Sequence, residues 1–478
     1  MSELIELANA VYETLPLHKL TEPIFQREPG KYYSLINYPP LKGMLEHDDD
    51  ESFSFLRSSA NTKRLYLHIP FCSGQCTFCN YRIITGATEH WSYLEYLIKE
   101  LDLLVKHFGE LNIDHIWFGG GTPSLLSLKE FEYLYDNVLA RVKVSPATYV
   151  GYEVHPEMVR DPEFEAKLKF LKTIGVDRVN VGVQAFDDKV LKAVNRRHDG
   201  KESYRAVELC QEVGFNYINL DLILGLPRQT LQSWEETLMT ALSFAPTSFS
   251  PFYCWMKRSS PIYAHYQRNP EEFPSRKELL LMIIMYMEAF ENHGYRYGTI
   301  DYYFKAPPTI DEQIPLDIDN LLHTDFDVLP LGISGYGFIN QTRYMNHIDL
   351  KAYYDAIDRG VLPIARHYSL PDDDLIRLNL MYSLRYDNVN THEFKKRYGI
   401  DILDYFGDTF RHLQDKELVE IEGDKVKMTY LGRIYSEEVF TYFVSERVLR
   451  NIRADEQKHQ QDGLLLDTHN YFYDITHV

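Results

Sequence analysis

Leu65-Tyr66-Leu67-His68-Ile69-Pro70-Phe71-Cys72-Ser73-Gly74-Gln75-Cys76-Thr77-Phe78-Cys79-Asn80-Tyr81 decides how this 478-residue chain is read. Leu65–Ile69 has the length and composition of a strand, and the next ten residues hold three of the five cysteines. Such crowding in a chain without a secretory signal points to a metal rather than to a disulfide framework. Thiolates at Cys72, Cys76 and Cys79 can bind three irons of a cubane on a tight loop and leave a fourth iron with no protein ligand. A zinc loop with His68 as fourth ligand is the alternative. The loop's place directly after a first strand, with a glycine-rich turn after the second, favours the cluster. Cys210 falls in a helical stretch and reads as a small buried side chain, and Cys254 follows Pro251-Phe252-Tyr253 at a strand end.

Outward from this stretch, strands and helices alternate. Further strands are expected at His115–Phe118, Tyr149–Val154, Asp177–Val183, Tyr217–Ile223 and Ser248–Tyr253, with helices from about Trp91 to Phe108, Glu163 to Ile174 and Glu202 to Val213. Gly175 and Gly214 follow two of these helices, as C-cap glycines do. The rhythm predicts an α/β fold with a parallel sheet and right-handed crossovers, curled into a full or partial (β/α) barrel. Functional residues are then expected at the strands' C-terminal ends, among them Gly121, Glu153, Gln184 and Asp221.

Four segments are expected: an N-terminal extension (1–64), the partial barrel (65–306), a linker and loop region (307–364) marked by Ala306-Pro307-Pro308 and Ile314-Pro315, and a mostly helical domain (365–478). In the last, Leu418–Met428 reads as a small hairpin between helices, a winged-helix-like arrangement.

With 70 acidic and 50 basic residues the net charge is −20, which argues against a nucleic-acid surface. The acidic run His47-Asp48-Asp49-Asp50-Glu51 reads as a solvated loop. No run of about 18 apolar residues occurs, and the acidic start lacks the order of a signal peptide. A cytoplasmic monomer without membrane contact is expected.

Tyr66–Cys72 with Cys76 and Cys79 resembles the radical S-adenosylmethionine (SAM) family that includes oxygen-independent coproporphyrinogen III dehydrogenase, heme chaperones, anaerobic heme-degrading methyltransferases, and class C methyltransferases and cyclopropanases. The resemblance runs from about residue 31 to about residue 443. It includes Trp117-Phe118-Gly119-Gly120-Gly121-Thr122-Pro123, Gly182–Phe186, Val194-Asn195-Arg196, Asp221–Pro227, Leu331–Gly335 and Thr429–Arg433. It implies a [4Fe–4S] cluster on Cys72, Cys76 and Cys79, one or two SAM molecules, a small-molecule substrate, and an electron donor such as flavodoxin or ferredoxin. An electron from such a cluster breaks the sulfonium C–S bond and yields a 5′-deoxyadenosyl radical, while the protein binds, orients and shields.

By the same resemblance Glu153 accepts hydrogen bonds from SAM, Gln184 and Arg196 hold its ribose or carboxylate, and Asp221 is a further contact. Arg197 competes with Arg196, and a structural salt bridge is the other reading of Asp221. Gly120, Gly121 and Thr122 would let the backbone approach the methionine amino group closely. Tyr66 and Phe78 pack around the cofactor, with ordinary core packing open for Phe78. His68 is a donor near the cluster or a satisfied core histidine. Tyr66, His68 and Tyr81 are the candidate catalytic side chains. Gly332, in the loop Leu331–Gly337, would line a second SAM site or simply make a turn.

Coproporphyrinogen dehydrogenase carries a further cysteine two positions after the third; here that residue is Tyr81. The primary expectation is therefore methyl or methylene transfer to an sp² carbon using a second SAM. Oxidative decarboxylation of a porphyrinogen is the first alternative and a non-catalytic heme chaperone the second.

Overall fold

The computed structural model describes residues 2–29, 38–46, 53–57, 61–86, 90–299, 301–305, 326–386 and 388–461. The acidic run 47–51, the prolines at 307, 308 and 315, and residues 31–37 lie outside the described residues.

After helix α1 (Glu3–Thr14) and the short strand β1 (Leu45–Glu46) the chain enters β2 (Thr62–Ile69). The cysteine loop lies between β3 (Phe71–Cys72) and β4 (Ile84–Thr85), which pair in parallel. Then come α2 (Trp91–Phe108), β5 (Ile113–Gly120), α3 (Leu128–Leu139), β6 (Tyr149–Val154), α4 (Phe164–Thr173), β7 (Arg178–Gln184), α5 (Asp188–Ala193), α6 (Gly200–Val213) and β8 (Tyr217–Leu224). The helices form where an apolar stripe meets a capping signal. In α2, Leu94, Leu97, Leu101 and Leu104 are buried, and α3 and α6 start with capping boxes at Ser127/Glu130 and Asp199/Glu202. Gly175 and Gly214 take the left-handed conformation after α4 and α6, as their sequence positions predict. The chain continues through α7 (Leu231–Ser243), β9 (Ser248–Tyr253), α8 (Pro261–Arg268), α9 (Arg276–Asn292), β10 (Tyr295–Thr299) and β11 (Tyr302–Lys305). It then forms β12 (Phe326–Leu331), β13 (Tyr336–Ile339), β14 (Thr342–Asn346), α10 (Leu350–Asp358) and β15 (Ile364–Ser369).

The chain divides into two compact units, one drawn from Met44–Asp221 and Ile318–Leu370, the other from Met1–Gly43, Leu222–Asp317 and Pro371–Val478. In the first, the strand order is β1-β15-β14-β13-β12-β2-β5-β6-β7, with β8 beginning beside β7. Strands β12, β2, β5, β6 and β7 are parallel, and β13, β14, β15 and β1 extend the sheet antiparallel. This is the expected α/β class with a mostly parallel sheet. The region 307–364, expected as linker and loop, instead carries three strands and a helix among its described residues. Its strands went unread because they are short, include charged residues, and follow one another by tight turns rather than by helices. Asp327 sits fully buried inside β12, 3.6 Å from Lys63 Nζ, and Arg343 of β14 lies buried over the Phe338 ring.

In the other unit β9, β11 and β10 form an antiparallel run. The N-terminal residues do not stand apart as an extension. Arg27 pairs with buried Glu438, and the Tyr38 hydroxyl donates to Asp374 Oδ1 at 2.7 Å. After α11 (Asp372–Tyr386) come β16 (Asn388–Asn390), β17 (Val419–Glu422) and β18 (Lys425–Met428), a small sheet ordered β16-β18-β17 amid short helices. The winged-helix-like reading anticipates this arrangement. Among the described residues no helix is long and apolar enough to cross a membrane.

Candidate active site

The site is built on one face of the parallel strands. Side chains alternate between faces along a strand. In β2 that turns Leu65, Leu67 and Ile69 into the core on one side and leaves Tyr66 and His68 on the other. The register sets Tyr66 beside Trp117, His68 beside Gly119, Gly151 beside Trp117 and Asn180 beside Glu153. A polar row thus runs across the C-terminal half of the sheet. Asn219 and Asp221 continue the alternation on β8, where Asn219 Nδ2 donates to Asp221 Oδ1 at 2.7 Å. Asp221 lies three residues short of its strand's end rather than at it.

Glycines in this row leave room for neighbouring side chains and backbone. A Cβ on Gly151 would overlap the Trp117 ring, and one on Gly119 would lie 2.5 Å from Glu153 Oε1. Trp117 Nε1 donates to Glu153 Oε1 at 3.2 Å, and the Gly120 N–H to Oε2 at 3.1 Å. A Cβ on Gly120 would meet the His68 ring at 2.7 Å, and one on Gly121 the backbone of Pro70 at the same distance. The missing side chains of Gly120 and Gly121 admit His68 and the entry to the cysteine loop. Gly332 likewise faces inward, toward the Tyr93 hydroxyl and the His68 carbonyl oxygen.

The cysteine loop leaves β2 at this end of the sheet. The Thr122 hydroxyl lies 3.3 Å from Cys72 Sγ. Residues 194–196 hold the loop from the other side. The Thr77 N–H donates to the Val194 carbonyl at 3.0 Å, Asn195 Nδ2 to the Gln75 carbonyl at 2.7 Å, and Arg196 Nη1 to Cys76 Sγ at 3.5 Å. Arg196 also donates to the Gly182 carbonyl and lies 6.0 Å from the centre of the half-buried Phe78 ring. Arg197 is exposed and passes beside Gly74. Gln184 ends β7 with φ of 67°, a strained conformation of the kind held at functional sites. Arg196 Nη2 and Gln184 Nε2 lie 3.0 and 3.1 Å from where a Gly182 Cβ would sit. Arg196 Nε and Gln184 Oε1 are buried with no partner among the described residues. A ligand with complementary donors and acceptors would satisfy both.

Burial pushes the Cys72 thiol up to about 11 and Cys79 up to about 12, so loading a cation here releases protons. Burial, with Asp221 adding, lifts Glu153 to about 7. Burial lowers His68 to about 4, leaving it neutral; its Nδ1 is 3.0 Å from the Tyr66 hydroxyl. Tyr81 is 47% exposed. Among the described residues no three His, Cys, Asp or Glu side chains are grouped to hold a single metal ion.

Residues 66–241 match the radical SAM superfamily. The chain carries a radical SAM domain. This family uses a [4Fe–4S] cluster and SAM, and the three-thiolate loop with unsatisfied Arg196 and Gln184 beside it fits both. An oxygen-independent coproporphyrinogen III oxidase from Synechocystis sp. is 27% identical over 435 residues, covering 85% of this chain and 91% of that protein. The heme chaperone HemW of Bacillus subtilis is 28% identical over 388 residues, 80% of this chain and 100% of its own length. The solved structure of Escherichia coli coproporphyrinogen III oxidase (HemN), described as a radical SAM enzyme, superposes with a TM-score of 0.75 at 25% identity, covering 86% of this chain and 96% of that one.

Sequence reading missed Trp117, Gly119 and Gly151 as the frame of Glu153, and Glu100, Tyr93, Asn346 and Tyr353 as the frame of Gly332. One signal was available: Glu100 interrupts the apolar stripe Tyr93, Leu97, Leu101, Leu104 of α2.

Proposed function

We propose that this radical SAM enzyme acts by oxidative decarboxylation of a porphyrinogen-like substrate, the first alternative above rather than the primary expectation. The observation that carries the radical SAM part is the cysteine loop at the parallel strands' ends, flanked by Arg196, Gln184 and Glu153. The choice of reaction rests on the coproporphyrinogen III oxidases that align along most of their own length and on the matching E. coli structure.

Cys72, Cys76 and Cys79 would hold three irons. Thr122 beside Cys72 and Arg196 beside Cys76 would donate to the sulfurs and stabilise their negative charge. Gln184 and the free edge of Arg196 would bind the ribose and the carboxylate of SAM, for which the planar guanidinium is suited. Glu153, fixed by Trp117 and Gly120, would accept hydrogen bonds from the same ligand, and Asp221 would contact it further. The cluster and SAM, when bound, supply one-electron cleavage of a C–S bond and a 5′-deoxyadenosyl radical that takes a hydrogen atom. From the substrate's side, loss of a propionate β-hydrogen, release of carbon dioxide and passage of one electron to an acceptor leave a vinyl group. Neutral His68, bonded to Tyr66, would keep a polar but uncharged contact beside the cluster.

Tyr81 in place of the dehydrogenase's cysteine favours a second reading, methyl or methylene transfer from a second SAM. The full-length match to a heme chaperone supports a third, heme binding without turnover. Anaerobically reconstituted protein with reductant, coproporphyrinogen III and SAM deuterated in its methyl group separates them by mass spectrometry. The proposal expects vinyl product and unlabelled 5′-deoxyadenosine. Deuterium in 5′-deoxyadenosine would replace it with group transfer, and stable heme binding without 5′-deoxyadenosine would replace it with the chaperone reading.

A further inference from the structure

Glu100 lies in the middle of α2 and is 1% exposed. Its neighbours on that helix face are apolar, and Leu97 and Leu101 beside it are fully buried. Its partners among the described residues are all neutral donors. The Gly332 N–H reaches Oε2 at 2.7 Å, the Tyr353 hydroxyl reaches Oε2 at 2.5 Å, and Asn346 Nδ2 reaches Oε1 at 2.6 Å. Asn346 Nδ2 also donates to the Gly332 carbonyl at 3.0 Å, so Gly332 is held at both its N–H and its carbonyl. A second hydroxyl completes the set: Tyr93 donates to the His68 carbonyl at 2.9 Å and accepts from the Ile333 N–H at 3.1 Å. These bonds join the turn that ends β12 to the strand that leads into the cysteine loop.

Burial pushes the Glu100 carboxyl up to about 8, because the charged form is disfavoured away from water, and leucine would fill this helix position with no polar group to satisfy. We propose that Glu100 is a positioning residue for the cofactor site: it fixes the Gly332–Gly335 turn and, through Tyr93, the backbone at His68. Tyr93, Asn346 and Tyr353 serve the same end. The assignment rests on the reading that the cysteine loop and its flanking strand ends hold cluster and SAM.

The test is Glu100→Leu, read by amide hydrogen exchange of the cofactor-free protein and by SAM affinity of the reconstituted protein. Expected are exchange at least tenfold faster at residues 332–335 and at 68 and 69, unchanged exchange in β5 and β6, a single cooperative unfolding transition as in the parent, and SAM affinity reduced about tenfold, equivalent to 1.4 kcal/mol. Unchanged exchange in the turn, or a loss of protection spread over the whole unit, would overturn the proposal. Local loss with unchanged SAM affinity would keep Glu100 as the turn's anchor and overturn the claim that the turn borders the cofactor. Tyr353→Phe removes one donor, keeps the ring, and is expected to give the same local pattern in weaker form, so the test stands even if Glu100→Leu does not fold.

Discussion

The two halves of the sheet in the cysteine-bearing unit solve different problems. The parallel half, β2 with β5, β6 and β7, displays a polar row whose members are held by steric fit: Gly151 admits Trp117, Trp117 orients Glu153, and Gly119 leaves room for its carboxyl. The antiparallel half, β13 to β15 reached through β12, is fixed beside the site by a buried hydrogen-bond network around Glu100. Fit is intolerant of added volume. A polar network is intolerant of a missing partner.

The largest expected effect falls on the parallel half. Cys76→Ser removes one of three iron ligands while changing little in the apo fold. It is expected to abolish 5′-deoxyadenosine formation and to leave sub-stoichiometric iron, with an unfolding midpoint near the parent's. Retained turnover would break the assignment of the loop. Gly151→Ala is next: its methyl group would overlap the Trp117 ring, and overpacking of this kind costs about 1–3 kcal/mol, measurable by denaturant unfolding.

Asn346→Ala probes the antiparallel half by subtraction. Loss of its bonds to Glu100 and to the Gly332 carbonyl is expected to cost about 1–3 kcal/mol, with iron content after reconstitution unchanged. A fall in iron equal to that of Cys76→Ser would erase the distinction between the halves.

How legible each half is follows from the same contrast. The parallel half is written as a cadence of strand, helix and glycine, and its chemistry sits in the short run Cys72–Cys79, so both could be read from local pattern. The partners of that loop could not, because Asn195 and Arg196 lie 120 residues along the chain from the residues they bond. Glu153 was legible as a strand-end carboxylate, but its frame of Trp117 and Gly119 emerges only from strand register. The antiparallel half gave no cadence. Buried Asp327, Arg343 and Asn346 read as surface residues until each is matched with its partner.

The smallest expected effect is electrostatic. Glu153 titrates near 7 in the folded protein against 4.5 ordinarily. Between these values the folded chain holds more protons than the unfolded chain, so cofactor-free stability falls as pH rises from about 4.5 to about 7. Glu153→Gln is expected to shrink that fall, seen as a smaller difference between unfolding midpoints at pH 5 and pH 7. An unchanged difference would show that the Glu153 carboxyl is not held in the way its contacts imply.

The measurement that bears most directly on the whole account is made on anaerobically reconstituted wild-type protein: iron and sulfide per chain, then 5′-deoxyadenosine released on adding reductant and SAM. The account predicts about four irons per chain and release of 5′-deoxyadenosine that is lost in Cys76→Ser. One tightly bound zinc, or four irons with no 5′-deoxyadenosine under any reductant, would contradict it.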